Sequence, residues 1–362
     1  MRDRVAGTTT RVSTGAKGVQ ANGFSSAPSI SADGRYVTFA SYASNLVSGD
    51  KNSKTGGSDV FLHDMVTGTT VLVSHATKGS SNGESDFPQI SGNGRYVAFD
   101  STATNLVAND KNGYGDVFVW DRTTGAMRMV SADATGKAAN SGSGLSAIDT
   151  AGDKIAFLSN ASNLVTGDTN EIADAFVKNL TTGQVDRVSV ATDGSESHGD
   201  ALDVSISGDG STAAFTTAWP LSSHDHDFTP DVYVRKLATN TTTMVSNQAV
   251  EDPTIDARDN SYGASLSTSG RYVVFTSAAG DLVSTTLGLG SQVYLKDLTT
   301  GTIRQLSVGL NGIAPDDTSH APVITPDGRY VAFDSPSTNL IGGDTNGAED
   351  VFLLDQGAGT AG

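Results

Sequence analysis

The chain contains no cysteine, which excludes disulfides, thiol chemistry and thiolate metal centres. Glutamate is nearly missing: 5 residues against 35 aspartates. Helix surfaces usually prefer glutamate, whereas aspartate favours turns, where its short carboxylate bonds nearby backbone amides. No apolar run reaches the roughly 18 residues a membrane helix requires. Positive charge is scarce, with 23 Lys and Arg against 40 acids and a formal net charge of -17. That balance argues against nucleic acid or an anionic membrane surface as partner. The opening residues Met1-Arg-Asp-Arg-Val-Ala-Gly7 lack an apolar signal core. Either the protein is cytoplasmic, or it is extracellular or periplasmic and its leader is absent from this chain; the second is the expectation. What is abundant is Gly, 41 in 362 residues, with Val, Thr, Ser, Phe and Tyr. No convincing amphipathic helix occurs, and the composition is that of an all-β protein.

The length would suggest two or three domains, but a repeat overrides that prior. Six copies align on a turn glycine (Gly34, Gly94, Gly152, Gly210, Gly270, Gly328) and on a phenylalanine five residues later (Phe39, Phe99, Phe157, Phe215, Phe275, Phe333). Successive copies lie 58 or 60 residues apart. Each copy carries four strand signals. A short first strand such as Pro28–Ser31 leads through an Asp-Gly or Asn-Gly turn, a strong hairpin signal, to a second such as Tyr36–Ser41. An acidic loop, a third strand such as Asp116–Asp121, a Thr-Gly turn and a fourth such as Thr69–Ser74 follow. Four antiparallel strands copied radially predict one domain, a six-bladed β-propeller. The blades are predicted over 27–75, 87–132, 144–190, 201–247, 262–308 and 321–362. The last copy stops after its third strand, whereas the N-terminal stretch Thr8-Thr-Thr-Arg-Val-Ser13 matches a fourth strand. Residues 1–14 are thus expected to complete blade six and close the ring, removing two open sheet edges.

The elements Ser31-Ala-Asp-Gly-Arg-Tyr-Val-Thr-Phe39 and Thr325-Pro-Asp-Gly-Arg-Tyr-Val-Ala-Phe333 resemble the repeat of TolB-like, WD-repeat-like six-bladed propellers, over essentially the whole chain. The resemblance implies the fold. It leaves function open, since such propellers include envelope scaffolds, peptidase-associated modules and carbohydrate-active enzymes.

Each acidic loop repeats Asp-x-(Asn/Asp)-x(3)-Asp before an apolar pair. The copies are Asp110/Asn112/Asp116, Asp168/Asn170/Asp174 and Asp344/Asn346/Asp350, with a variant Asp225/Asp227/Asp231 and a longer form Asp50/Asn52/Asp59. In a tight loop, positions one and three face inward, a carbonyl at position five joins them, and position seven closes the cage. Calcium takes six to eight such oxygens. Magnesium's octahedral demands suit the set less well, and zinc prefers nitrogen and sulfur. The same residues can simply shape turns. Against that, two carboxylates about 6 Å apart repel by roughly 2–3 kcal/mol at an effective dielectric near 20, and five loops carry the pair. Blade five has Thr286, Gly288 and Gln292 instead. The expectation is about five Ca²⁺ ions, none in blade five. Asn45, Asn105, Asn163 and Asn339, five positions before their loops, read as loop-shaping residues.

No catalytic constellation assembles. His224 and His226 read as solvated loop residues. The first strands, carrying Ile30, Ile90, Ile148, Ile206, Leu266 and Ile324, are expected to line a channel in which Asp149 is the one acid. Arg35, Arg95, Arg271 and Arg329 are expected to brace neighbouring blades. Candidate ligand-binding residues on the long-loop face are His198, Trp219, Arg258 and Tyr262, suited to a sugar or a peptide. Three functions follow: a calcium-stabilised, secreted, monomeric module binding a glycan or protein; a carbohydrate-active enzyme acting at the channel mouth; or a TolB-like envelope scaffold.

Overall fold

The computed structural model describes residues 1–48, 50, 57–76, 81–247, 259–284, 288 and 290–357. The chain divides into two compact units, residues 1–167 with 178–185, and residues 168–177 with 186–362. Six antiparallel sheets follow one another in chain order, and the fold is a six-bladed β-propeller. After a short hairpin of β1 (Arg2–Asp3) and β2 (Thr8–Thr9), sheet one holds β3 (Ser25–Ile30), β4 (Tyr36–Ser41), β5 (Asp59–Asp64) and β6 (Thr69–Leu72). Sheet two holds β7 (Ser85–Ile90), β8 (Tyr96–Ser101), β9 (Asp116–Asp121) and β10 (Met127–Met129). Sheet three holds β11 (Ser143–Ile148), β12 (Lys154–Ser159), β13 (Asp174–Asn179) and β14 (Val185–Arg187). Sheet four holds β15 (Ala201–Ile206), β16 (Thr212–Thr217), β17 (Asp231–Lys236) and β18 (Thr241–Met244). Sheet five holds β19 (Ser261–Leu266), β20 (Tyr272–Ser277), β21 (Gln292–Asp297) and β22 (Ile303–Gln305), and sheet six β23 (His320–Ile324), β24 (Tyr330–Ser335) and β25 (Asp350–Asp355).

Period-two alternation on the second and third strands makes the blades stack. In the first unit, Val60 and Leu62 of β5 meet Val97, Phe99 and Phe118 of the next blade. In the second, Val232 and Val234 of β17 meet Val273, Phe275 and Tyr294, and Val293 and Leu295 meet Val331, Phe333 and Phe352. Within a blade the paired rings stack, at 6.0 Å for Phe99 and Phe118 and 5.9 Å for Phe275 and Tyr294. The strands are apolar on both faces because both are covered.

Two expectations need correction. Ile90 and Leu266 lie in the cores between blades rather than lining an opening. The arginines after the turns brace their own blade: Arg35 holds Asp64 at 3.1 and 2.8 Å, and Arg95 holds Asp121 at 3.1 and 2.8 Å, tying the start of the second strand to the end of the third. Each guanidinium also lies 4.8 Å from the ring of the tyrosine that follows it. Among the described residues sheet six comprises β23, β24 and β25. At the N-terminus Thr8 and Thr9 pair with Asp3 and Arg2. Asp3 Oδ1 accepts from Val5 N and Ala6 N at 2.9 Å each, so this hairpin satisfies its own turn.

The residues just after that hairpin nevertheless behave as an inter-blade linker. Thr14 bridges Gln20 as Ala132 bridges Ala138 and Val190 bridges Glu196. The Thr14 carbonyl accepts from Thr70 Oγ1 at 2.5 Å, the Ala132 carbonyl from Lys178 Nζ at 2.8 Å, and the Val190 carbonyl from Thr242 Oγ1 at 2.6 Å. Side chains of one blade thus catch the carbonyls of the linker running over it.

Candidate metal-binding loops

The last loop position opens the third strand and is a buried aspartate in four blades, at Asp59, Asp116, Asp174 and Asp231. Each carboxylate accepts a hydroxyl from the serine that ends the fourth-strand segment. Ser74 reaches Asp59 at 2.7 Å, Ser131 reaches Asp116 at 2.6 Å, Ser246 reaches Asp231 at 2.6 Å, and Ser189 reaches Asp174. The same serine oxygen accepts the next backbone N–H, as Ser131 does from Val117 at 3.1 Å. Blade five keeps this clamp without an acid, Ser307 donating to Gln292 Oε1 at 2.7 Å. One oxygen of the last loop residue is therefore structural. The serine was not singled out from the sequence, although the signal was present: Val-Ser or Leu-Ser closes each fourth-strand segment.

The third position shapes the loop. Asn112 Oδ1 accepts from Tyr114 N at 3.0 Å, Asp227 Oδ1 from Thr229 N at 2.7 Å and Asn346 Oδ1 from Ala348 N at 2.8 Å, which are Asx turns. The amide of Asn112 donates to Asp116 Oδ2 at 2.7 Å and to the Ala139 carbonyl at 3.0 Å. Asn170 does the same to Asp174 Oδ2 and the Ser197 carbonyl, both at 3.0 Å. An amide nitrogen thus sits between a carboxylate and a linker carbonyl, and the linker does supply an oxygen at the loop.

The first position differs from blade to blade. Asp110 is 6 % exposed, and its buried Oδ1 has no hydrogen-bond partner. Burial pushes its pKa up, and pushes Asp116 up to about 6 with the Asp110 charge adding to it. Asp225 is buried and accepts from the Tyr233 hydroxyl, while oxygens of Asp225, Asp227 and Asp231 all lie within 4.8 Å of one another. Asp168 faces a guanidinium: Arg187 Nη1 lies 3.2 Å from Asp168 Oδ1, 3.3 Å from Asp174 Oδ2 and 2.5 Å from Glu196 Oε1. Asp344, Asn346 and Asp350 line an open cleft, with Asn346 Nδ2 2.7 Å from Asp350 Oδ2. Asn52 and Thr286 lie outside the described residues, and Asp50 and Asp59 within them.

The asparagines ahead of the loops hold the linkers. Asn45 Oδ1 accepts from Asn22 N at 3.0 Å and its amide donates to the Gln20 carbonyl at 2.9 Å, and Asn163 treats Asn140 and Ala138 alike. His224 and His226 are exposed, and the carboxylate cluster of their loop contains neither.

Of the ligand candidates, His198 and Trp219 come together, ring centroids 4.8 Å apart and edge to face. Phe228, from inside the fourth acidic loop, joins Trp219 at 5.5 Å and is 69 % exposed. It went unnoticed in the sequence because its position in the other loops is not aromatic. Tyr262 sits at the start of β19, 36 % exposed, and Arg258 lies outside the described residues.

No protein-family model and no curated protein matches the chain. Solved structures do. The β-propeller domain of the trilobed protease from Pyrococcus furiosus is 12% identical, with 92% of this chain and 82% of that one covered and a TM-score of 0.54. An oligogalacturonate lyase in complex with manganese is 14% identical over 90% of this chain and 73% of that one, with a TM-score of 0.52. TolB from Acinetobacter baumannii is 15% identical with a TM-score of 0.44; 83% of this chain is covered, and the chain spans 57% of that protein. At these identities the likeness is one of fold.

Proposed function

We propose that this protein is a calcium-binding, calcium-stabilised β-propeller that acts as a binding or scaffold module outside the cytoplasm. The observation that carries the reading is the unpartnered Asp110 Oδ1, buried beside Asp116 with no basic side chain among the described residues bonded to either carboxylate. Asn112 N bonds the Asp110 carboxylate, but a buried carboxylate oxygen left without donor or counter-ion is costly. A hard divalent cation taking Asp110, Asp116 and the Ala139 carbonyl, with water completing its shell, removes that cost. Asp225, Asp227 and Asp231 offer the same chemistry in the fourth blade. Millimolar extracellular calcium matches weak loop sites of this kind.

A second observation bears on the ligand. His198, Trp219 and the exposed Phe228 form an aromatic group, and Phe228 rides on an acidic loop. Such rings suit the apolar face of a sugar or a peptide side chain, so an ion ordering loop four would also order this surface. A carbohydrate-active enzyme acting at the channel mouth and an envelope scaffold are the alternatives, and turnover of a polysaccharide panel separates the first from plain binding.

Calorimetric titration of chelator-treated protein with CaCl₂ tests the proposal. Saturable binding, reduced by one site in Asp110→Ala, is expected. No heat with either protein, and no calcium by elemental analysis, overturns it.

A further inference from the structure

The five complete blades share a register that places one fourth-strand residue, two before the clamping serine, next to the acidic loop. It is Leu72, Met129, Arg187, Met244 and Gln305 in blades one to five. The clamp fixes the comparison: serine and last loop residue are 15 apart in each of these blades. Blade three alone has a cation there. One nitrogen of Arg187 reaches Asp168, Asp174 and Glu196 within 3.3 Å, and its side chain is 9% exposed. A single positive atom in contact with three carboxylates stands where a bound ion would stand. In blade two the neutral Met129 occupies that register position, and the Asp110 oxygen facing the loop has no partner.

Resting on the calcium reading above, we propose that Arg187 is a built-in counter-ion that closes the third loop to metal, and that, among blades carrying the acidic loop, this one fourth-strand position decides whether calcium binds. Blade two, with methionine, is then a metal site; blade three, with the same loop residues, is not. The third loop is otherwise the better equipped of the two. It has the Asp, Asn and Asp of blade two, the Ser197 carbonyl in place of that of Ala139, and Glu196 in addition, held by Thr169 N at 2.9 Å and Thr169 Oγ1 at 2.6 Å. A guanidinium and a divalent cation cannot share the pocket, because like charges in contact at low dielectric repel strongly.

Exchanging the residues tests this. Calcium stoichiometry is measured by titration and by elemental analysis after dialysis, for wild type, Arg187→Met, Arg187→Lys and Met129→Arg. Arg187→Met is expected to bind one more ion than wild type, Met129→Arg one fewer, and Arg187→Lys, which keeps the charge, the same number. Wild-type stoichiometry in both Arg187→Met and Met129→Arg overturns the inference while leaving the calcium reading intact. If wild type binds none, one ion gained by Arg187→Met upholds the inference alone, and none gained overturns both. Arg187→Met unfolded at saturating calcium also counts against it, since the ion should hold the three carboxylates together.

Discussion

Individual aspartates in this chain do different work according to their partner. Asp64, gripped by Arg35, is held down to about 2, while Asp100, walled in by neighbouring strands, is pushed up to about 7 by burial. Asp100 Oδ2 accepts from Leu145 N at 2.7 Å, joining blade two to the first strand of blade three. Its folded-state pKa lies above the ordinary 3.8, so folding takes up a proton. The stability this group adds is full below about pH 4 and is lost as pH rises through about 7. Asn keeps an oxygen for Leu145 N and has no proton to lose. Urea denaturation of wild type and Asp100→Asn at pH 5 and pH 8 should show a smaller loss in the variant, by roughly 1–3 kcal/mol; equal losses would refute the role. None of this was legible in the sequence, where Asp100 is one residue in a strand. The loop aspartates were legible because they recur at fixed spacing. Their donors were not: a serine 15 residues on, or an arginine two before it, becomes a partner only after the third and fourth strands pair.

The strands and turns were the most readable part. Asp-Gly and Asn-Gly turns followed by Tyr-Val-x-Phe fix the hairpin of the first two strands in sheets one and two. What the sequence hid is the bulge in the first strand, where Ala27, Phe87 and Leu145 take φ values of 47°, 51° and 51° and the register shifts. In these three blades no glycine or asparagine stands at the bulge, whereas blade five has Gly263 there with φ 68°. The turn glycines carry a second duty that spacing alone does not show. Gly125 and Gly152 both have positive φ, +72° and +75°, but a methyl group at Gly125 meets nothing, whereas at Gly152 it falls 2.2 Å from Tyr96 of the preceding blade. Gly125→Ala should cost about 1 kcal/mol from conformation alone. Gly152→Ala should cost about 2–4 kcal/mol, because a packed ring must also move. Chemical denaturation of both variants decides between conformation and inter-blade packing; equal costs would show that Tyr96 yields freely.

For the chain as one charged body, the excess of 17 negative charges opposes compaction, and part of it is concentrated in the acidic loops. In EGTA the melting temperature should fall by several degrees relative to millimolar calcium, since 100-fold saturation of one site adds about 2.7 kcal/mol. Sodium chloride should recover part of that fall by screening. Superimposable melts would mean that the loops hold without metal. The architecture was foreseeable because one pattern occurs six times. The pairing of Thr8–Thr9 with Arg2–Asp3 was not, because a two-residue strand is decided by its own turn and not by likeness to a distant repeat.

Arg187 gives this arrangement a consequence in changing surroundings. A dissolved ion comes and goes with supply, but a guanidinium tethered to the backbone cannot be diluted away or chelated. Where calcium runs short, the third loop should keep its shape while its neighbours slacken, leaving one fixed post from which the others re-form when the ion returns.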